Sequence, residues 1–209
     1  MGSRSPARAP RPVTASKSPP NWQPAWPMRN AFVVAGGAYG IEAAAHRAVL
    51  AASGQTVAVQ ANGLDRRFPS GNGELLNRVG DVGLLLSELP PGTTPTRNRF
   101  IARNRLMAAL SGATVIPEAS VRSGSITTVL QARDLGRGIG AVPGPVTSAA
   151  STGSNQPIKQ GIASLITEAS DVRELLDADR PVGQTLGRSE ITSGFEHRRE
   201  SPGSLGPSL

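Results

Sequence analysis

The stretch "AFVVAGGAYGIEAAAHRAVLAASGQTVAVQAN", residues 31–62, decides the fold. It opens on "AFVVAGG" (31–37), an almost unbroken apolar run of the kind that suits a strand buried on both faces of a parallel sheet. Gly36, Gly37 and Gly40 then permit a tight turn. Ile41 to Ala52 follows, with Ala43, Ala44 and Ala45 favouring helix strongly, and Gly54 stands where a helix C-cap is expected. "TVAVQAN" (56–62) is the second apolar run. A strand–helix–strand unit of this length implies a right-handed crossover between parallel strands.

Outward from this unit the same alternation continues. Further strand candidates are "GLLLSEL" (83–89), "ATVIPEA" (113–119), "GIGAVPG" (138–144) and "ASLIT" (163–167). Helical patterns fall between them at 74–79, 100–111, 125–135 and 171–176, with Gly112 at a further expected C-cap. The chain therefore predicts an α/β fold, a mostly parallel sheet flanked by helices. The ends differ in composition. Residues 1–30 hold seven prolines and both tryptophans, with no apolar period of 2 or 3.6 residues, and predict a disordered or extended segment. Residues 179–209, rich in Gly, Ser and Pro, predict a flexible tail.

Composition excludes several functions. The chain has no cysteine, so neither a disulfide framework nor a thiolate metal site is possible. His46 and His197 are too few for a histidine-built metal site. No apolar run approaches the roughly 18 residues of a membrane span, and the N-terminus lacks an apolar signal core, so no membrane association and a cytoplasmic location are expected. The net charge of +7 is uneven: residues 1–30 carry five basic residues and no acid, 31–180 carry 14 basic against 12 acidic, and 181–209 carry three of each. A basic patch in the body must therefore arise by clustering.

Such a cluster is present. "PTRNRFIARNRLMAALSG" (95–112) sets Arg97, Arg99, Arg103 and Arg105 beside Phe100, Ile101, Leu106, Met107 and Leu110, with no acid among them. Arg99 and Arg103, four apart, share a helix face, and Arg103 and Arg105 nearly do. Like charges at this spacing repel, a polyanion would neutralise them, and arginine offers bidentate contacts to phosphate. A solvated face paired with acids elsewhere is the ordinary alternative.

In open α/β sheets, ligands bind beyond the carboxyl ends of the strands. The loop "GGAYGIEAAAH" (36–46) has GGxxG spacing rather than GxGxxG, and serves either as an anion site at a helix N-terminus or as a plain tight turn. "EASVRSGSITT" (118–128) offers hydroxyls and N–H groups beside Arg122. "VPGPVTSAASTGSNQPIKQG" (142–161) reads as a long small-residue loop carrying Asn155 and Lys159. Catalytic equipment is missing. His46 reads as packed or surface-placed, Glu118 as a structural acceptor before a base, and Asn62 and Asp65 are the nearest ribose-binding candidates. No cofactor and no metal are expected.

Three strings carry a family resemblance: "VVAGGAYGIEAAAHRAVLAASGQTVAV", "GLLLSELPPGTTPTRNRFIARNRLMAALSGATVIPEASVRSGSITT" and "AVPGPVTSAASTGSNQPIKQGIASLITEASDV". In this order, from about residue 31 to 178, they resemble the DNA-processing protein A (DprA/Smf) family. The resemblance implies an extended Rossmann-like domain over 31–178. It implies a non-enzymatic single-stranded-DNA-binding recombination mediator that helps load a RecA-type recombinase on incoming strands in natural transformation, working as a homodimer. Carried over by position, the DNA site comprises Arg4, Gly36, Gly37, Gly40, Arg97, Arg99, Arg103, Asn104, Arg105, Arg122, Ser123, Gly124, Ser125, Gly144 and Asn155. Lys159 joins them as the basic end of its loop, and Tyr39 as the candidate for stacking on a base. Other aromatics lie near no evident groove.

The N-terminus departs from the family pattern. A strand, a G-S-R-type loop and a long helix are implied ahead of residue 31. Here "MGSR" has no strand before it, and "PRPVTASKSPPNWQPAWPMRN" stands in the helix's place. Residues 1–30 are therefore expected to be a truncated or altered remnant that leaves an inner strand edge exposed. Pro157 stands where the family prefers an aliphatic residue. An alternative is a nucleotide phosphoribohydrolase of the lysine-decarboxylase-like Rossmann group, but "RSGSITTVLQ" lacks the glutamate of that group's PGGxGTxxE motif. A further alternative is an inactive remnant.

Overall fold

The computed structural model describes residues 11–15, 31–121 and 123–177. Among these residues seven strands form one parallel sheet: β1 (Arg11–Ala15), β2 (Ala31–Ala35), β3 (Thr56–Val59), β4 (Leu84–Leu86), β5 (Ala113–Ile116), β6 (Gly138–Ala141) and β7 (Ser164–Leu165). Their order across the sheet is β4-β3-β2-β1-β5-β6-β7. Six helices accompany them: α1 (Ile41–Ala51), α2 (Gly73–Val82), α3 (Arg97–Leu110), α4 (Gly124–Asp134), α5 (Thr152–Lys159) and α6 (Ala169–Asp177). The expected α/β architecture is present, with every pairing parallel.

Alternation along the strands divides the core between two faces. Val33 and Ala35 pack under α1 through Ala45 and Val49, and Ala58 packs with Leu50, Leu76 and Val79 of α1 and α2. Ala113 and Val115 meet Val172, Leu175 and Leu176 of α6 on this same face. The intervening residues point the other way. Val34 and Val59 pack against Met107 of α3, while Ile116, Ile139 and Ala141 meet Ala108 of α3 and Val129 and Ala132 of α4. One face thus carries α1, α2 and α6, and the other carries α3, α4 and α5.

Two elements correct the sequence reading. Residues 11–15 are not outside the sheet but form its central strand. Arg11–Thr14 pair with Ala31–Val34 on one side, and Val13–Ala15 with Ala113–Val115 on the other. No inner edge is left open between β2 and β5. Val13 and Thr14 have strand preference, and Pro12, which cannot donate to a ladder, is paired on one side only. The remaining predicted tail residues, 1–10, 16–30 and 179–209, lie outside the described residues, as does residue 178 at the end of the expected domain. The second correction is α5, inside the segment expected to be a loop. It forms despite Pro157 in its interior. Gly153 lets its first turn press onto the β5–α4 loop, where a Cβ would stand 2.6 Å from the carbonyl oxygens of Ala119 and Ser120.

The topology marks where open α/β sheets bind ligands. From β1 the chain steps outward to β4, then returns through α3 to β5 on the opposite side of β1. The direction of winding reverses between β1 and β5, so the crevice at the carboxyl ends of these strands is the topological switch point.

Candidate nucleic-acid interface

A cavity of about 690 Å³ lies at this point. Arg97, Phe100, Ile101, Asn104 and Met107 of α3 form one wall. Ser123–Ser125, Thr127 and Thr128 at the start of α4 form another, with Glu118–Ser120 after β5, Glu42 of α1 and Ala150 completing it. Positions 97, 100, 101 and 104 recur at helical spacing and share one face.

The amino ends of both helices border the cavity. Thr96 caps α3, its hydroxyl accepting from the Arg99 N–H at 3.4 Å. Ser123 caps α4, its hydroxyl accepting from the Ser125 N–H at 3.3 Å. Neither helix has an acid in its first turn, and α3 begins with Arg97. Cations at a helix N-terminus oppose the macrodipole, whereas an anion placed there is favoured.

The arginine cluster separates in space. Residues two apart on a helix point in nearly opposite directions, so Arg103 and Arg105 do not share a face as expected. Arg105 is exposed and one of its nitrogens donates to both oxygens of Glu88 at 2.6 Å. Arg99 donates to the Thr94 carbonyl. Arg103 is buried, with 8% exposure. Its Nη1 donates to the Val59 carbonyl at 3.1 Å and its Nη2 to Asn104 Oδ1 at 3.4 Å. Nη2 also stands 4.0 Å from Glu42 Oε1, and the guanidinium carbon lies 5.5 Å from the centroid of the Phe100 ring. Burial pulls this guanidinium below its ordinary pKa, and the Glu42 charge opposes that pull. Arg97 remains exposed at the cavity.

The glycine loop is built around Arg103. A Cβ on Gly36 would fall 1.6 Å from Arg103 Nη1, so only glycine admits the guanidinium. Gly37 has φ 79° and Gly40 φ 85°, conformations that favour glycine. Gln60 Nε2 donates to the Gly36 carbonyl and Asn72 Nδ2 to the Gly37 carbonyl, both at 2.9 Å. Glu42 Oε2 accepts from the Ala38 N–H at 2.8 Å. Asn104 Nδ2 donates to the Gly124 carbonyl at 3.0 Å, tying α3 to the start of α4.

Other nominated residues lie apart from the cavity lining. Gly144 and Asn155 hold one another: the Gly144 N–H donates to Asn155 Oδ1 at 3.0 Å, and Asn155 Nδ2 donates to the Gly144 carbonyl at 2.8 Å. Lys159 stands at the far end of α5 from the turn at Ala149–Ser151. Tyr39 is 61% exposed, and its hydroxyl accepts from the Gly71 N–H at 3.1 Å. Asn62 is buried and donates to the Gly63 and Arg66 carbonyls, and Asp65 accepts from the Gly92 N–H, so both serve their own loop. Arg4 and Arg122 lie outside the described residues.

Sequence reasoning missed Phe100 as a wall of the cavity and Phe68 beside it, with ring centroids 5.9 Å apart. The helical spacing of Phe100 from Arg97 and Asn104 was the signal available. His46 is packed, one of the two placements its Ala-rich helix left open. Nδ1 donates to Thr56 Oγ1 at 2.7 Å, because that hydroxyl itself donates to the Val33 carbonyl at 3.0 Å. Burial lowers its pKa to about 4, so it is neutral at physiological pH. Among the described residues no cluster of metal-binding side chains occurs, and no helix is long and apolar enough to cross a membrane.

Comparisons with known proteins agree with the fold. The chain is 51% identical over 148 residues to the putative DNA processing protein DprA of Mycobacterium tuberculosis, covering 71% of this chain and 38% of that protein. It is 41% identical over 140 residues to the DNA processing protein DprA of Streptococcus pneumoniae, covering 67% and 49%. The chain thus spans less than half the length of these relatives. The solved DprA structure from Streptococcus pneumoniae superposes with a TM-score of 0.69 at 32% identity, covering 79% of this chain and 61% of that one. A DNA processing protein A from Helicobacter pylori, solved for its single-stranded DNA binding mode, gives 0.69 at 25% identity and 83% of each chain. The sequence model of the DNA recombination-mediator protein A family matches residues 2–177, β1 included, and the chain belongs to that family.

Proposed function

We propose that this chain is a single-stranded-DNA-binding recombination mediator. It acts without catalysis, as a homodimer in the cytoplasm, and helps load a RecA-type recombinase on incoming strands in natural transformation. The observation that carries the DNA reading is the meeting of two helix N-termini, free of acids, at the switch-point cavity, with Arg97 at its rim and Arg99 in the same first turn. Family membership supports the mediator role, and the Helicobacter pylori structure, solved for its single-stranded DNA binding mode, supports the choice of single-stranded DNA.

Within this reading the nominated residues divide into two groups. Arg97, Arg99 and Ser123–Ser125 contact phosphate, with Arg4 and Arg122 as further candidates. Arg103 and Asn104 line the cavity, Gly36 makes room for the Arg103 guanidinium, Gly37 and Gly40 shape the turn that follows, and Gly144 with Asn155 fixes a neighbouring loop. Arg105, Lys159 and Tyr39 are peripheral contacts. Phosphate contacts dominate affinity and make it salt-dependent.

The test is fluorescence anisotropy of a labelled oligo-dT over a salt series, for the wild type and for Arg97→Ala/Arg99→Ala. Binding that weakens steeply with salt in the wild type, with a shallower salt slope in the variant, is expected. A folded wild type that binds no oligonucleotide at low salt overturns the reading.

A further inference from the structure

The segment between β6 and α5 is built unlike the arginine-bearing start of α3. From Gly138 to Ile158 the chain carries no charged side chain. It leaves β6 through Pro143, Gly144 and Pro145 and turns at Val146 and Thr147. It then enters α5 by the turn at Ala149–Ser151, where Ala150 borders the cavity. The first of these turns is braced. Asn155 bonds both backbone groups of Gly144. A Cβ on Gly144 would stand 2.1 Å from Ser151 Oγ, so the loop lies directly against the helix entry. The Ser148 N–H donates to the Pro145 carbonyl at 2.9 Å and closes the turn, and the Ser151 N–H donates to the Ser148 carbonyl at 3.1 Å. Pro143 and Pro145 fix φ at their own positions.

At the tip of this braced turn stands Val146, the most exposed of the large apolar side chains among the described residues, at 92%. Turn tips ordinarily take Gly, Pro, Asn, Asp or Ser. Val146 gains nothing there from the fold, because an apolar side chain left in water contributes no burial. A rigid support, an apolar tip and an uncharged setting together describe a contact for an apolar surface that arrives from outside. On the single-stranded-DNA reading above, phosphates stay with Arg97 and Arg99. The flat faces of the bases are then the apolar surfaces open to a loop without charge. We propose that Val146 is a wedge, which presses between two adjacent bases of the bound strand outside the cavity and parts their stack. Apolar side chains part base steps in this manner in other nucleic-acid complexes. A base held against the tip is closed to a complementary strand, so the wedge favours single-stranded over duplex DNA.

The full chain tests this with two probes: a labelled oligo-dT over a salt series, and a short oligo-dA carrying one central 2-aminopurine, whose fluorescence rises when it is unstacked. For the wild type the 2-aminopurine signal should rise on binding, and oligo-dT should bind more tightly than a hairpin duplex of the same length. Val146→Ser should keep the stability and the salt slope of the wild type. It should bind oligo-dT about threefold or more weakly, lose most of the 2-aminopurine rise and narrow the preference over duplex. Val146→Leu, apolar like valine, should retain all three. Unchanged oligo-dT affinity and 2-aminopurine signal in Val146→Ser overturn the wedge and leave the DNA reading intact. A shallower salt slope in that variant assigns the loop to phosphate and overturns the wedge too. Unchanged DNA binding with self-association lost in sedimentation assigns the tip to a second copy of the chain, which likewise overturns it. No binding of any strand by folded wild type overturns both readings.

Discussion

The two faces of the sheet treat their helix N-termini in opposite ways. On one face, α1, α2 and α6 each carry an acid in the first turn: Glu42, Glu74 and Asp171. Two of these carboxylates bond the chain itself. Glu42 accepts from the Ala38 N–H, and Asp171 accepts from the N–H groups of Thr167 and Glu168 at 2.6 and 3.0 Å. On the other face α3, α4 and α5 have no acid there, and α3 begins with an arginine instead. The first face neutralises its own helix ends. The second leaves positive potential unspent where two of its helices border the cavity, which an external anion would complete on the proposed function.

The largest effect should come from Arg103, which joins the two faces by reaching from α3 to Glu42 of α1. Arg103→Ala leaves Glu42, only 12% exposed, without its cation and the Val59 carbonyl without its donor. A loss of about 3–5 kcal/mol is expected, read by chemical denaturation. A variant as stable as the wild type would remove Arg103 from the junction.

Next comes His46, on the self-neutralised face. Its pKa is lowered to about 4 in the folded chain, against 6.5 for the free side chain. The unfolded state therefore binds the proton more readily. The stability contribution is complete above pH 6.5 and is lost as pH falls from 6.5 towards 4, on the order of 3 kcal/mol. Equilibrium unfolding across this window checks it, and His46→Gln should flatten the acid limb.

Arg97 tests the open face alone. Arg97→Ala should leave stability within about 0.5 kcal/mol while the salt slope of oligo-dT binding falls by about 0.7, the value for one phosphate contact on a single strand. An unchanged slope would remove Arg97 from the phosphate contacts. The smallest effect is also the sharpest. Asn98→Asp gives α3 the acid that α1, α2 and α6 possess. It should stabilise the fold by about 0.3–1 kcal/mol while weakening DNA binding. A gain in both, or a loss in both, would break the contrast between the faces.

Where sequence pattern and burial agree, the fold was legible. β2, α1 and β3 were readable because Val33, Val34 and Ala58 form continuous apolar runs and Ala43–Ala45 favour helix. The strand at Arg11–Ala15 was hidden because Pro12 and the surrounding prolines argue against a central strand, and its partners 31–34 and 113–115 are distant in sequence. α5 was hidden by Gly153 and Pro157, poor helix formers whose value lies in close packing. At the site, the loops were legible from glycine and serine spacing, and the arginines from their density. Their division was not. Arginine is expected at the surface, and nothing local indicates that Arg103 is drawn inward through the space Gly36 leaves, or that Glu88 lies opposite Arg105.

The central position of β1 also has a consequence for how the chain assembles. Residue 13 pairs with residue 113, so the last ladder of the centre closes only when the chain beyond β5 is available. During synthesis β1, β2, β3 and β4 emerge in an order that lets each find a neighbour at once, while the far side of β1 waits through α3 for β5. Such non-local pairings slow folding, and an open strand edge is exposed to mispairing meanwhile. A strand of five residues thus sets the time at which the two halves of the sheet become one cooperative unit.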